Sequence, residues 1–418
     1  MLKSPRGNEA RTLLSKLAYV REGPMITNSA LHRIRVIDLS TSVSAAWCVR
    51  MLADFGAEVA LFEGADGHPA RRLGPFDAAG NSVIAEYVLA DRRSAIVEFK
   101  SSEGISVVRA AVADSDVLVC SGTRGEMETF GLDFNSLLQL NPGIVICSIT
   151  PHGSTGARSK HPGNDLTTAA LSGWASINGL ADKPPLKPSG LQSSYCAGTI
   201  AYGSIVSALL ARCKQNPLRG QFIDVSELEV MASTFGPALL TSQYQREPQP
   251  RKAKVDMSTG PVPVKDGHFA LTISRPHFWR DAMNVLELDD LAEDPRWGTS
   301  WYRKEHANEY VDRAQEKLAQ WNKMDLFDTL AALRVIAGPV LETNELSENV
   351  HLEERGFFRT PENDGPEYPG PAFQMSATPA HLTQGAPAPG DHTAEVLRDF
   401  AGLDESAIDA LLASGVAR

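Results

Sequence analysis

From residue 34 onward the sequence alternates short apolar runs with segments of helical spacing, and few folds accommodate that alternation. The run IRVIDLS at 34–40 is strand-like, SAAWCVRMLADFG at 44–56 is apolar at helical spacing and stops at Gly56, and EVALFE at 58–63 is strand-like again. Together they spell a βαβ unit. A second unit runs from SAIVEFK at 94–100 through a helix in SEGISVVRAAVADS to DVLVCS at 116–121, and GIVICSIT at 143–150 adds another strand. Strands that are apolar without alternation are covered on both faces, and parallel strands need long, usually helical, crossovers. The expected class is therefore α/β, with a Rossmann-like, doubly wound parallel sheet as the large domain. Such sheets take ligands beyond the C-terminal ends of their strands, which puts Ser40, Glu63, Lys100, Ser121 and Thr150 on the expected rim.

The rest of the chain divides by composition. A Gly/Ser/His-rich loop (PHGSTGARSKHPGND) follows Thr150, then a helix from about Leu166, a Pro-rich turn (DKPPLKPSG) and two apolar helices near 195–213 and 225–243. Polar QREPQPRKAK at 245–254 marks a linker. Beyond it VPVKDGHFALTI reads as a hairpin turning at Asp266-Gly267, followed by helices around Trp279, 306–321 and 324–336, which make a smaller α+β domain. The expected division is an N-terminal extension at 1–25, a large domain at 26–245, a small domain at 246–350 and a C-terminal segment at 351–418 that returns to the large domain. Lys16, Arg21 and Glu22 interrupt any apolar leader, so the first 24 residues are expected to be an extra helix or an upstream start ahead of Met25 rather than a transit peptide.

Charge and cysteine usage narrow the function. Lys plus Arg number 40 against 51 for Asp plus Glu, a net charge of −11, so the surface as a whole repels nucleic acid and anionic membranes. No uncharged apolar stretch is seen to approach the roughly 20 residues of a membrane helix. Cys48, Cys120, Cys147, Cys196 and Cys213 stand far apart, as in a reduced cytoplasmic protein, and no His/Cys spacing suits a metal. No phosphate-binding G-x-x-x-x-G-K-[ST] exists, the first βα turn (LSTSVSAAW) has no G-x-G-x-x-G, and Gly153-x-x-Gly156 reads as a loop. Basic residues nevertheless gather near strand ends: Arg71, Arg72, Arg92, Arg93, Lys100 and Arg124. They are either solvated surface charge or, where several converge, a site for a phosphate-bearing acyl carrier.

The stretches RMLADFGAEVALFE, DRRSAIVEFK, RGEMETFGLD, NPGIVICSITPHGSTG, PGNDLTTAALSG, GTIAYGSIVSALLAR, RGQFIDVSELE, VKDGHFAL, AGPVLETNEL and GDHTAEVL, in this order over about 33–418, resemble the family III coenzyme A transferases. That group includes formyl-CoA, carnitine-CoA and benzylsuccinate-CoA transferases and the α-methylacyl-CoA racemases. The resemblance implies a CoA-binding large domain, a small domain and an interlinked dimer. It also implies no cofactor, a CoA thioester as substrate, and a carboxylic acid as acceptor. Family chemistry runs through an aspartate that attacks the thioester to give a mixed anhydride and CoA thiolate.

By that resemblance the aspartate lies four residues before the glycine that opens GTIAYGSIVSALLAR, and that position is Ser194. The racemases' G-H-D reads Gly163-Asn164-Asp165, which argues against racemisation. A Gln carried by several transferases corresponds to Val43, the following Gly-Pro to Ala45-Ala46, and an Arg after the second strand to Gly64. The glycine loop of formyl-CoA transferase has only Met257-Ser258-Thr259-Gly260 in its place. Lys100 matches a CoA-phosphate position, Arg71 or Arg72 and Arg92 fall where the family keeps basic residues, and Arg124 joins them as a candidate. Asp165 is the nearest alternative carboxylate, either catalytic or the cap of the helix beginning at Leu166. His152 and His161 lie on the adjacent loop and are the rings that could approach Ser194.

The leading expectation is one subunit of a heteromeric transferase, with an Asp-bearing paralogue supplying the nucleophile. The alternatives are an active homodimer using a carboxylate such as Asp165, and a non-catalytic CoA-binding scaffold.

Overall fold

Six strands pair in register into one parallel sheet. The computed structural model describes residues 29–418 apart from 216, 252–256, 258–259 and 362–365, so the extension expected at 1–25 lies outside the described residues. The strands are β1 (Arg35–Leu39), β2 (Glu58–Glu63), β3 (Arg93–Ile96), β4 (Val117–Cys120), β5 (Val145–Thr150) and β6 (Gln221–Ser226), in the order β3-β2-β1-β4-β5-β6. Order reverses between β1 and β4, which opens the ligand crevice of a doubly wound sheet at the C-terminal ends of those two strands.

Because side chains alternate across each strand, the in-register runs make two apolar layers. Val36, Val59, Val117, Val119, Val145 and Cys147 face one side, against two helices: α1 (Val43–Asp54) and the longer Gln192–Cys213. Ile37, Ala60, Leu118, Cys120 and Ile146 face the other side. There they meet the helix Ser102–Ala113 and, from the chain's end, Val396, Leu397, Phe400 and Ile408. A separate antiparallel sheet joins Val262–Val264, Gly267–Thr272 and Ile336–Val340, with its own core around Trp279, Trp297 and Tyr310.

Several local expectations are corrected. The sequence reading has no strand at 221–226; Gln221 and Asp224 interrupt the run, and β6 forms because it is an edge strand paired on one side only. The strand expected through Lys100 stops at Ile96, since Val97 bridges Ala417. The helix expected at 225–243 is two, Glu227–Thr234 and Gly236–Gln245, broken ahead of Pro237. Gln192–Cys213 has 22 residues and is long and apolar enough to cross a membrane by length and composition, contrary to expectation. In this fold it packs on α1 and the sheet.

That packing is close. A Cβ at Gly198 would lie 2.4 Å from the Ser44 carbonyl oxygen and 3.0 Å from the Cys48 backbone nitrogen, and backbone gives way less readily than side chain. Gly198→Ala is therefore expected to destabilise by about 1–3 kcal/mol in urea unfolding, although alanine alone favours a helix by about 1 kcal/mol.

Candidate functional site

Two helix starts meet at the position of Ser194. The first is α2, Asp165–Leu171, capped by Asn164, whose side chain accepts the Thr167 N–H at 3.0 Å while Thr167 Oγ1 accepts from the Asn164 N–H. The second is α3, Gln192–Cys213, whose cap residue Leu191 has no side-chain acceptor to offer. Asp165 fills that gap from the neighbouring helix: its Oδ1 accepts the Ser194 N–H at 3.0 Å and faces the Ser194 hydroxyl at 3.4 Å. The cap expected of Asp165 on its own helix is thus corrected. Asn164 caps α2, and the Asp165 charge sits in the first turn of α2 while capping α3, where both helix dipoles favour it.

The other oxygen of Asp165 is also committed. Lys187 Nζ lies 3.4 Å from Oδ2 and donates to the Pro188 carbonyl at 3.0 Å. Asp165 is 6% exposed and Ser194 7%. A carboxylate so held is a positioning group for the α3 terminus, and attack by it would first require breaking these contacts. Lys187 was hidden in the sequence because DKPPLKPSG read only as a turn.

A second carboxyl at the site was missed. Glu227 opens α4 (Glu227–Thr234) directly after β6 and is 4% exposed; Ser44 Oγ donates to its Oε1 at 2.6 Å and Thr168 Oγ1 lies 3.4 Å from its Oε2. Burial pushes this carboxyl above its ordinary value of 4.5, the Ser44 bond opposes that, and the Asp165 charge adds to it. The signal was the polar residue immediately following a strand end, in SELE. His152 and His161 pack edge to face with ring centres 6.4 Å apart. Among the described residues no hydrogen bond joins either ring to Ser194.

The basic candidates separate into two groups. Arg71 and Arg72 follow β2, Lys100 follows β3 and Arg124 follows β4, all at the C-terminal end of the sheet. Lys100 is exposed and its side chain has no ion pair among the described residues. Arg72 is exposed, with one bond to the Asp66 carbonyl at 2.7 Å, and the Arg124 guanidinium lies 4.9 Å from the centre of the Phe222 ring. Arg71 makes a two-pronged pair with Glu63 at 2.8 and 2.9 Å. Burial works to raise the Glu63 carboxyl, but the Arg71 and Ser94 bonds hold it below its ordinary value.

Arg92 is corrected. It is 1% exposed, pairs with the equally buried Asp38, and donates to the Val88 and Ala46 carbonyls, so it turns no face toward a ligand. It ties β1 to α1 and to the helix Val83–Val88. The sequence could not reveal this, because Arg92 and Asp38 are 54 residues apart.

The structure thus has a parallel sheet with its switch point between β1 and β4, and basic residues follow the C-terminal ends of its strands. The family model for CoA-transferase family III matches residues 31–393. The chain belongs to this family. A succinate–glutarate CoA-transferase from Agrobacterium fabrum is 30% identical over 390 residues, 90% of this chain and 97% of that protein. The succinyl-CoA:(R)-benzylsuccinate CoA-transferase subunit BbsE from Thauera aromatica is 28% identical over 401 residues, covering 92% of this chain and 97% of its own. Among solved structures, a CAIB/BAIF family protein from Brucella suis superposes with a TM-score of 0.81 at 25% identity, over 90% of this chain and 100% of the other. The fold of the family III transferases therefore extends over most of this chain.

Proposed function

We propose that this family III transferase chain binds an acyl-CoA and serves acyl-CoA:carboxylate CoA transfer as one subunit of a heteromeric enzyme, whose Asp-bearing paralogue supplies the attacking carboxylate. The observation that carries the reading is the α3 terminus. The side chain there is a serine hydroxyl, and the nearest carboxylate, Asp165, is spent on holding the helix start and Lys187. A serine ester formed from a thioester does not readily pass its acyl group to a carboxylate, whereas a mixed anhydride does. The relative named as subunit BbsE supports the heteromeric part. Succinyl-CoA is the first donor to test, since both curated relatives carry succinate or succinyl-CoA in their names. Exposed Ile200 and Leu210 on α3, and Leu239 and Leu240 beyond it, support burial of this face in a dimer.

CoA phosphates are assigned to Lys100, Arg72, Arg124 and, after exchange with Glu63, Arg71. Among the described residues the Lys100 side chain has no ion pair to give up, so its contact is the least costly to form. A charge-assisted phosphate contact contributes about 1.5–3 kcal/mol, so Lys100→Ala is expected to weaken CoA binding about tenfold or more by calorimetry. Unchanged affinity would remove Lys100 from the site. Arg92→Lys, by contrast, is expected to leave CoA affinity untouched wherever the variant is folded.

A further inference from the structure

Glu227 does not stand alone. Three serine hydroxyls lead from it to the ligand crevice: Ser44 Oγ at 2.6 Å from Glu227, Ser42 Oγ at 3.0 Å from Ser44, and Ser121 Oγ at 2.9 Å from Ser42. Ser121 ends β4's run and Ser42 caps α1, so the outer end of the chain lies at the switch point between β1 and β4. Hydrogen-bond accounting fixes its direction. Ser121 Oγ already accepts the Thr41 and Ser42 N–H groups at 2.9 and 3.1 Å, so its own proton is left to donate to Ser42. Ser42 Oγ also accepts the Ala45 N–H at 3.3 Å, and therefore donates to Ser44, which donates to Glu227. With Glu227 ionised, every hydroxyl points inward.

We propose that Glu227 is a positioning residue of the acyl-CoA site that takes up a proton when an oxyanion enters the crevice, with Ser44 turning to donate to Ser42 and the Ser121 hydroxyl, its acceptor on Ser42 now filled, turning outward. This rests on the transferase reading above. The balance is simple: a proton leaves a solvent acid and binds Glu227, three hydroxyls rotate, and no other covalent bond changes. A protonated Glu227 donates to Ser44, Ser44 to Ser42, and one hydroxyl at the rim is released to the incoming carboxylate or phosphate oxygen. An ionised Glu227 holds that hydroxyl inward.

The surroundings suit a carboxyl that gains a proton. Burial and Asp165 on α2 disfavour the anion, and α1 presents the neutral Ser44. The His152 ring opposes them, on the loop past β5, where the Pro151 carbonyl accepts the Leu228 N–H at 3.1 Å. Lys187 reaches the cluster through Asp165. At the end of β5 Thr150 Oγ1, and on the loop His152 Nδ1, are buried with no hydrogen-bond partner among the described residues, so polar atoms beside Glu227 are available to a ligand or to water.

The test is calorimetric titration of the chain with succinyl-CoA, CoA and succinate, each in two buffers of different ionisation enthalpy. Between about pH 5.5 and 7.5 the wild type is expected to take up about 0.3–1 proton per succinyl-CoA bound. The CoA and succinate arms tell whether a phosphate or a carboxylate oxygen drives it. Glu227→Gln keeps the shape and the Ser44 acceptor and is expected to bind with uptake below about 0.1 proton. Ser42→Ala leaves Glu227 in place but cuts the chain, and is expected to lose the uptake as well. Binding without uptake in the wild type, or undiminished uptake in either variant, overturns the inference while leaving the transferase reading intact. Failure of the wild type to bind any of the three ligands overturns both.

Discussion

Arg92→Ala is expected to cost about 3–5 kcal/mol of stability, because it leaves the buried Asp38 carboxylate without its counter-charge. Asp38 has no solvent exposure, and its other hydrogen bond comes from the Ser40 N–H at 2.9 Å. In the wild type, burial already raises the Asp38 carboxyl above the ordinary 3.8, with Arg92 pulling it back. Removing Arg92 removes that pull. A carboxyl whose folded-state value lies above its unfolded one binds its proton more tightly in the folded state, so stability falls as pH rises above about 3.8 until the folded value is passed. The variant is therefore expected to regain part of its loss on acidification from pH 7 toward pH 5, read as a rising midpoint in urea. The paired change of Arg92 to Met and Asp38 to Leu is expected to recover most of the loss, since apolar replacement of a buried pair is often neutral. A single variant as stable as the wild type at pH 7 would mean that the pair is not the tie between β1 and α1.

The second large effect is on turnover. With serine at position 194 and Asp165 held by the α3 terminus and Lys187, the isolated chain is expected to show no CoA transfer and no trapped acyl adduct. Ser194→Asp places a carboxylate there, but it stands close to Asp165, and Val43 and Ala45-Ala46 remain where the resemblance expects a Gln and a Gly-Pro turn. One missing oxyanion donor costs about 10²–10³ in rate, so at most weak thioester hydrolysis is expected from this variant. Transfer at a rate matching the mixed pair of subunits would contradict that account.

The sheet was legible in the sequence because buried parallel strands write themselves as short apolar runs, as in DVLVCS and GIVICSIT. β6 was not, because an edge strand carries Gln221 and Asp224 without penalty. The site was legible only in part. Ser194 and Asp165 stood out through the family pattern, and the structure joins them by a hydrogen bond between chain positions 29 apart. Of the serine chain only Ser121 stood out, as a rim residue; Lys187, Glu227, Ser42 and Ser44 did not, because each acts through a contact between distant segments: Ser44 and Glu227 are 183 residues apart. Arg92 shows the opposite error. Its place beside Arg93 and near a strand end suggested a phosphate ligand, yet the side chain turns inward to Asp38.

The most direct measurement of the central claim is co-purification from the native host followed by a transferase assay with succinyl-CoA and carboxylate acceptors, run on the purified chain alone and after mixing with the Asp-bearing paralogue that is expected to co-purify. The account predicts no turnover by the chain alone, turnover by the mixture, and loss of the mixture's activity when the paralogue's aspartate is replaced. Turnover by the isolated wild-type chain, abolished in Asp165→Asn and retained in Ser194→Ala, would contradict it and move the nucleophile to Asp165.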